Sequence, residues 1–285
     1  MTAGASASWG TRVVLLVASL IGLGAFLYPF LLVDVEQTSD QGGGPGGLAP
    51  LLFAGVSVIC LVAMLVTLAE EHPVSRSRQV ALLGVLVAVD ATLRLVPSLL
   101  GASPIFLLIM LVGFVFGASL GFQMGVLTLL FSALITGGLG PWLPFQMLVA
   151  GWIGLTAGWL PHPRGMRWRV GGLAVFGAVW GLAFGALMNL WFWPFTAPGA
   201  GDTSSLYWSP GLGLAETVER YVRFYVVTSL GFDLARAIGN IVLVVIFAAP
   251  VIRLLERYKS RFTWQPWEEM DVSPPVDPVE RPATL

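Results

Sequence analysis

The chain has 285 residues, 56% of them hydrophobic and 11% charged, with a formal net charge of −1 and a mean hydropathy of +0.82. A soluble domain carries roughly a quarter charged residues, so too few charges remain here to coat a water-facing surface, and the near-neutral balance excludes a general attraction to nucleic acid. A single cysteine, Cys60, excludes an intrachain disulfide and a cysteine metal cluster.

The apolar residues come in long runs, near the ~20 residues a helix needs to cross a bilayer. The short alternating segments of a transmembrane β-barrel are absent. Runs at 13–33, 48–69, 79–96, 104–116, 119–136, 142–160, 170–193 and 222–251 predict an all-α, polytopic membrane bundle of about eight transmembrane helices. The first run follows Arg12; it is long for a signal sequence and lacks a cleavage pattern, so it reads as a retained helix. The fourth run is short for a full crossing.

Charge orders the connections. The first link holds Asp34, Glu36, Asp40 and a Gly-rich stretch without Lys or Arg. Arg76 and Arg78 follow the second run, Arg164, Arg167 and Arg169 the sixth, and Arg253, Arg257, Lys259 and Arg261 the last. Basic loops stay cytoplasmic, which places all three basic clusters and both termini inside. The long link after the seventh run is then outside, with Arg220 and Arg223 beside Glu216 and Glu219. Trp142, Trp168, Trp193 and Trp264 fall near run ends, as interfacial tryptophans do. His72 and His162 lie in short polar connections beside proline and read as loop histidines. Residues 261–285, rich in Pro, Asp and Glu, read as a disordered cytoplasmic tail.

Polar residues inside the runs are expensive and face partners. Asp90 and Arg94 share a face of the third run; Asp233, Arg236 and Asn240 share a face of the eighth. The sixth run adds Gln146 and the seventh Asn189. The alternating topology sets Arg94, Gln146, Asn189 and Asp233 at similar depth in the outer half, which points to a shared polar cavity. The alternative is that Asp90–Arg94 and Asp233–Arg236 neutralise each other and tie helices together. On the third run Ala81, Gly84, Ala88, Ala91 and Thr92 form a small-residue pattern that suits close helix packing, within the chain or against another subunit. No Walker loop or HExxH motif occurs. No cofactor is expected, and ATP hydrolysis, if it drives the protein, comes from another chain.

From about Arg78 to Arg257 the sequence resembles the substrate-specific S components of energy-coupling factor (ECF) vitamin transporters. The resemblance is carried by Gly113-Phe-Val-Phe-Gly117, Gly121-Phe-Gln-Met-Gly125, Gly140-Pro-Trp-Leu-Pro-Phe-Gln-Met147 and Gly151-Trp-Ile-Gly154, with weaker echoes at Met188–Trp191 and Phe232–Asn240. It implies a six-helix core at 78–260, preceded by two helices of unknown role at 1–77. It also implies a vitamin-like substrate captured on the outer face of the cell membrane, and partnership with a transmembrane T subunit and a pair of ATPases. Gly84, Ala88 and Thr92 would be the docking face, in place of the family's AxxxA. Pro141 and Pro144 interrupt regular helix, and Trp142, Phe145 and Gln146 offer an aromatic wall and an amide. With Arg94, Asn189, Asp233 and Arg236 they make up the expected substrate contacts. The competing readings are a membrane enzyme using Asp90 or Asp233, and a scaffold whose buried charges serve only packing.

Overall fold

The computed structural model of the chain describes residues 9–31, 49–69, 73–96, 103–195, 206–209 and 211–262. The acidic first link, His72, Trp264 and the tail from residue 263 lie outside these residues. All regular structure among the described residues is helical. In chain order it comprises α1 (Trp9–Leu31), α2 (Ala49–Ala69), α3 (Pro73–Leu93), α4 (Ile105–Phe116), α5 (Ala118–Thr136), α6 (Leu143–Ala157) and α7 (Met166–Phe192). A 3-10 turn (Trp193–Phe195) then leads on towards α8 (Leu214–Thr228) and α9 (Leu230–Phe262).

Four of these helices, α1, α5, α7 and α9, are long and apolar enough to cross a membrane. The apolar stretches of α2, α3, α4 and α6 are shorter. The 12 residues of α4 reach only about 18 Å at 1.5 Å per residue, against a hydrocarbon core of about 30 Å. The eighth predicted run is divided. Residues 222–228 belong to α8, and the spanning helix begins at Leu230, after a break at Ser229. The reason is local: Glu216, Glu219, Arg220 and Arg223 make the preceding turns too polar to cross, so the valines at 222, 226 and 227 belong to an amphipathic helix.

The short α4 is the centre of the bundle. It has no polar residue, and all but its last residue and Leu108 are buried, against α5, α6 and α9 with α3 and α7 alongside. Gly117, at φ 106°, turns the chain directly from α4 into α5. At the far end of α5, Gly137 takes the left-handed conformation (φ 67°) and closes the helix with a hydrogen bond to Ala133 O. Pro144 then sits in the first turn of α6, where its missing N–H costs nothing.

Glycines set the distances between the central helices. A Cβ on Gly113 or Gly121 would run into the Gly154 carbonyl, and one on Gly154 would run into the backbone of Gly121. A Cβ on Gly125 would lie 2.6 Å from Gly151 N, against the Ala150–Gly151 peptide, and Gly158 faces Ala118. The glycines that carry the sequence pattern of 113–125 and 151–154 are therefore points of backbone contact between α4, α5 and α6. A second seam joins α7 to α9, where Gly177, Gly181 and Gly185 face Asn240, Ala237 and Asp233 in turn.

These contacts fix the direction of every helix. One end of the bundle gathers the C-termini of α1, α3, α5 and α7 with the N-termini of α4, α6 and α9. The opposite end carries Arg164, Arg167, Arg169, Arg253, Arg257 and Lys259, tied together by Arg169–Glu256 at 2.7 Å and by a bond from Lys259 to Val115 O. His162 closes the same end, its Nε2 2.7 Å from Phe114 O and its ring stacked on Phe114.

Gly154→Ala drives a methyl into the α5 backbone, an overpacking that costs about 1–3 kcal/mol. Thermal unfolding in detergent should show a clear fall in Tm, while Gly172→Ala, whose methyl meets nothing, should leave Tm unchanged or slightly raised.

Candidate functional site

The α7–α9 seam is built from three glycines on α7 and three polar residues on α9 at matching spacing. Asn240 Nδ2 donates to Gly177 O at 2.8 Å. One turn nearer the end, Arg236 Nη1 donates to Gly181 O at 3.2 Å and pairs with the Asp233 carboxylate on its own helix. The next turn sets Asp233 against Gly185, where any side chain would collide with the carboxylate oxygens. The Arg236 guanidinium lies 5.3 Å from the centre of the Phe184 ring, a cation–π distance. Phe184 packs edge-on against Phe106 of α4 at 4.9 Å. Tyr225 of α8 lies beside the same carboxylate.

Towards the end of the seam, Asn189 Nδ2 donates to Ser229 Oγ at 2.7 Å, and the Tyr221 hydroxyl donates to Ala186 O. Two residues after Asn189, Trp191 carries the site across to α6: its ring lies 5.7 Å from that of Phe145. Phe145 is buried, with Phe26 of α1 edge-on against it at 5.0 Å. Gln146 follows, its Oε1 buried and without a donor. Trp142 is exposed and folds its indole back over Gly140, whose missing side chain makes the room.

Arg94 stands apart. Asp90 and Arg94, four residues apart on α3, meet Thr128 and Ser132, four apart on α5: Thr128 Oγ1 donates to Asp90 Oδ2 at 3.1 Å, and Arg94 Nη1 donates to Ser132 Oγ at 3.0 Å. Asp90 and Arg94 form no ion pair with each other. The structure thus brings the seven expected contact residues to one end of the bundle in three groups. Asn189, Asp233 and Arg236 lie on the α7–α9 seam, Trp142, Phe145 and Gln146 at the start of α6, and Arg94 on the α3–α5 seam. The aromatic pair Phe145–Trp191 joins the first two.

Several buried acceptors are left over in this half of the molecule. Gln146 Oε1, Asp233 Oδ2, Asn240 Oδ1 and Asp90 Oδ1 are all buried with no donor among the described residues. Buried polar atoms are nearly always hydrogen-bonded, so these acceptors, with the buried donor Arg220 Nε of α8 that is likewise unmet among the described residues, fit a solute that brings polar groups of its own. No group of three or more His, Cys, Asp or Glu side chains able to hold a metal ion occurs among the described residues.

On α3 the expected docking residues face away from the bundle. Gly84, Ala88 and Thr92 are exposed, and a Cβ on Gly84 would meet nothing within 4 Å. Leu83, Val87, Asp90 and Ala91 form the inward face.

Sequence reasoning did not single out Gly177, Gly181 and Gly185, Thr128 and Ser132, Phe26, or Tyr225. A signal existed for the first two sets. Glycines spaced by four on the seventh run mirror the polar residues of the eighth, and Thr128 and Ser132 repeat the spacing of Asp90 and Arg94. Phe26 and Tyr225 sit in sequence patterns no different from ordinary packing.

Compared with known families, residues 78–261 match the one described as ECF transporter, substrate-specific component. No curated protein and no solved structure matches the chain. The matched region begins within α3 and ends in α9, so α1 and α2 precede it.

The Asp233–Arg236 pair can be dissected. Arg236→Met leaves a buried carboxylate uncompensated, a loss of about 3–5 kcal/mol by the behaviour of buried pairs, and should lower Tm strongly. Adding Asp233→Asn to it should restore part of that loss; strictly additive single and double variants would show that the two side chains do not act as a pair.

Proposed function

The chain belongs to the family of ECF transporter substrate-specific components, and on that premise we propose that it captures a small, vitamin-like solute at the outer face of the plasma membrane for an ATP-driven importer. As a membrane-embedded, substrate-binding transporter subunit, it relies on other chains for energy. The observation that carries the reading is the set of donorless buried acceptors on Gln146 and Asp233, placed around the Phe145–Trp191 aromatic pair. A partly apolar solute with a flat ring and N–H or O–H groups matches that combination of stacking surface and acceptors.

The charge distribution supports the orientation. The end opposite the site is rich in Arg and Lys, as cytoplasmic faces are. The site end then opens outward and both termini are cytoplasmic. Arg94, Trp142, Phe145, Gln146, Asn189, Asp233 and Arg236 are the proposed contacts. Asn189 and Arg236 also hold the seam together, and Trp142 is the exposed member of the set. We assign residues 78–260 to the substrate-binding core and leave α1 and α2 as an addition to it.

The exposed Gly84–Ala88–Thr92 face of α3 is the proposed docking surface for a transmembrane T subunit, which in turn carries a pair of ATPases. Small residues let a partner helix approach closely, and such contacts rather than hydrophobicity hold membrane helices together.

Two outcomes test these assignments in cells. Gln146→Ala and Trp142→Ala should each reduce uptake of the solute about tenfold, the effect of losing roughly 1.4 kcal/mol of binding, with normal amounts of protein in the membrane; unchanged uptake would remove both residues from the site. Ala88→Trp should abolish co-purification with the T subunit while leaving Tm and solute binding intact, and retained co-purification would move the docking face elsewhere.

A further inference from the structure

Helix α8 has three distinct faces. Phe224 is buried beneath it, 6.2 Å from the ring of Trp193, and Tyr221 packs edge-on against Trp193 at 5.3 Å. A second face carries charge: Glu216 pairs with Arg220 at 2.6 Å, and Glu219 pairs with Arg223. Between them runs a stripe of Leu214, Val218, Val222 and Val226, spaced by four. These side chains are 83%, 53%, 52% and 52% exposed, so the stripe is uncovered among the described residues.

Such a stripe on a water-soluble surface would be costly, with each fully buried Val or Leu worth about 1.5–3 kcal/mol. A helix with four charged residues in its middle cannot cross the bilayer either. The remaining environment is the boundary between lipid and water, where amphipathic helices lie in the membrane plane. Continuity supports it: after the single non-helical residue Ser229, the chain enters α9, whose Phe232, Leu234, Ile238 and Val242 are exposed and apolar and must meet lipid tails. Tyr207 and Trp208 lie next to α8, with Arg220 Nη1 3.2 Å from Tyr207 O, and Tyr and Trp concentrate at this depth in membranes.

We propose that α8 is an in-plane membrane anchor: its Leu214–Val218–Val222–Val226 stripe lies in the lipid–water boundary at the end of the bundle that carries Asp233, with the Glu216–Arg220 and Glu219–Arg223 pairs facing water. The charges cancel within the helix, so the attachment is apolar and needs no anionic lipid, unlike a polybasic segment. The contacts of Tyr221 with Ala186 and of Tyr225 with Asp233 tie the anchored helix to the candidate site. The inference rests on membrane embedding and is independent of which solute the protein carries.

The test uses the full chain with its only cysteine removed (Cys60→Ala) and single nitroxide labels at Val218→Cys, Val222→Cys, Glu219→Cys or Arg223→Cys. The protein is reconstituted in phosphatidylcholine vesicles. Relaxation by oxygen, which concentrates in lipid, is compared with relaxation by a water-soluble nickel chelate. Labels at 218 and 222 should favour oxygen several-fold and those at 219 and 223 the nickel chelate, unchanged when a third of the lipid is phosphatidylglycerol. Nickel access at all four positions would put the helix in water and overturn the proposal. Exclusion of both reagents at 218 and 222 would mean that protein covers the stripe, and would overturn it equally. All four side chains are partly or fully exposed, and a Tm equal to that of the Cys60→Ala parent certifies the fold of each variant.

Discussion

Inside a membrane a buried polar side chain has no water to turn to, and its partners must come from the protein itself. In this molecule the partners on the α7–α9 seam are backbone carbonyls. Gly177 O and Gly181 O accept from Asn240 and Arg236 because the facing residues of α7 lack side chains and the helices approach closely. Put a methyl on Gly181 and it lies 2.6 Å from the Ala237 Cα. The same device, without the polar partners, locks α5 to α6 and both to the short central helix α4. Glycine spacing thus sets both how tightly the bundle packs and where polar side chains can be held.

The polar groups are held in different ways, and each group keeps a buried acceptor without a donor among the described residues: Asp90 Oδ1 on α3, Asp233 Oδ2 on α9 and Gln146 Oε1 on α6. The α3–α5 ladder uses Thr128 and Ser132 to meet Asp90 and Arg94, side chain to side chain. Interhelical hydrogen bonds of this kind are worth on the order of 0.6 kcal/mol in membranes, enough to set the register of α3 on α5. The inward side of α3 is therefore fixed, and its small-residue side is presented outward. On the other side of the bundle, Asp233 Oδ2 lies against the bare Gly185, and Gln146 follows Phe145 of the Phe145–Trp191 pair.

Hydropathy alone located most of the helices, since α1 to α7 each fall within a few residues of an apolar run. It failed at residues 222–228, where valines alternate with charges across a helix period, because a window average cannot tell the apolar stripe of a surface helix from the start of a span. Polar side chains inside the runs marked Arg94, Gln146, Asn189, Asp233 and Arg236, and all are at one end of the bundle. Their partition into three groups was not readable, because it depends on which helices neighbour each other. The sequence also held no account of α1. Only in three dimensions does Phe26 reach Phe145, Ser19 Oγ accept from Trp152 Nε1 at 2.9 Å, and Gly22 open a place for Leu148. A helix outside the family match is thus packed on the helix that carries Phe145 and Gln146.

The central claim is that this end of the bundle binds a small solute of mixed polarity. It is tested most directly by thermal unfolding of the purified chain against a panel of water-soluble vitamins and their precursors, since a ligand that binds only the folded state raises Tm by mass action. The account predicts a concentration-dependent rise for at least one compound, which disappears in Gln146→Ala although that variant unfolds at the temperature of the unliganded parent. A panel that leaves Tm unmoved, or a rise that survives in Gln146→Ala and Asp233→Asn alike, would contradict it.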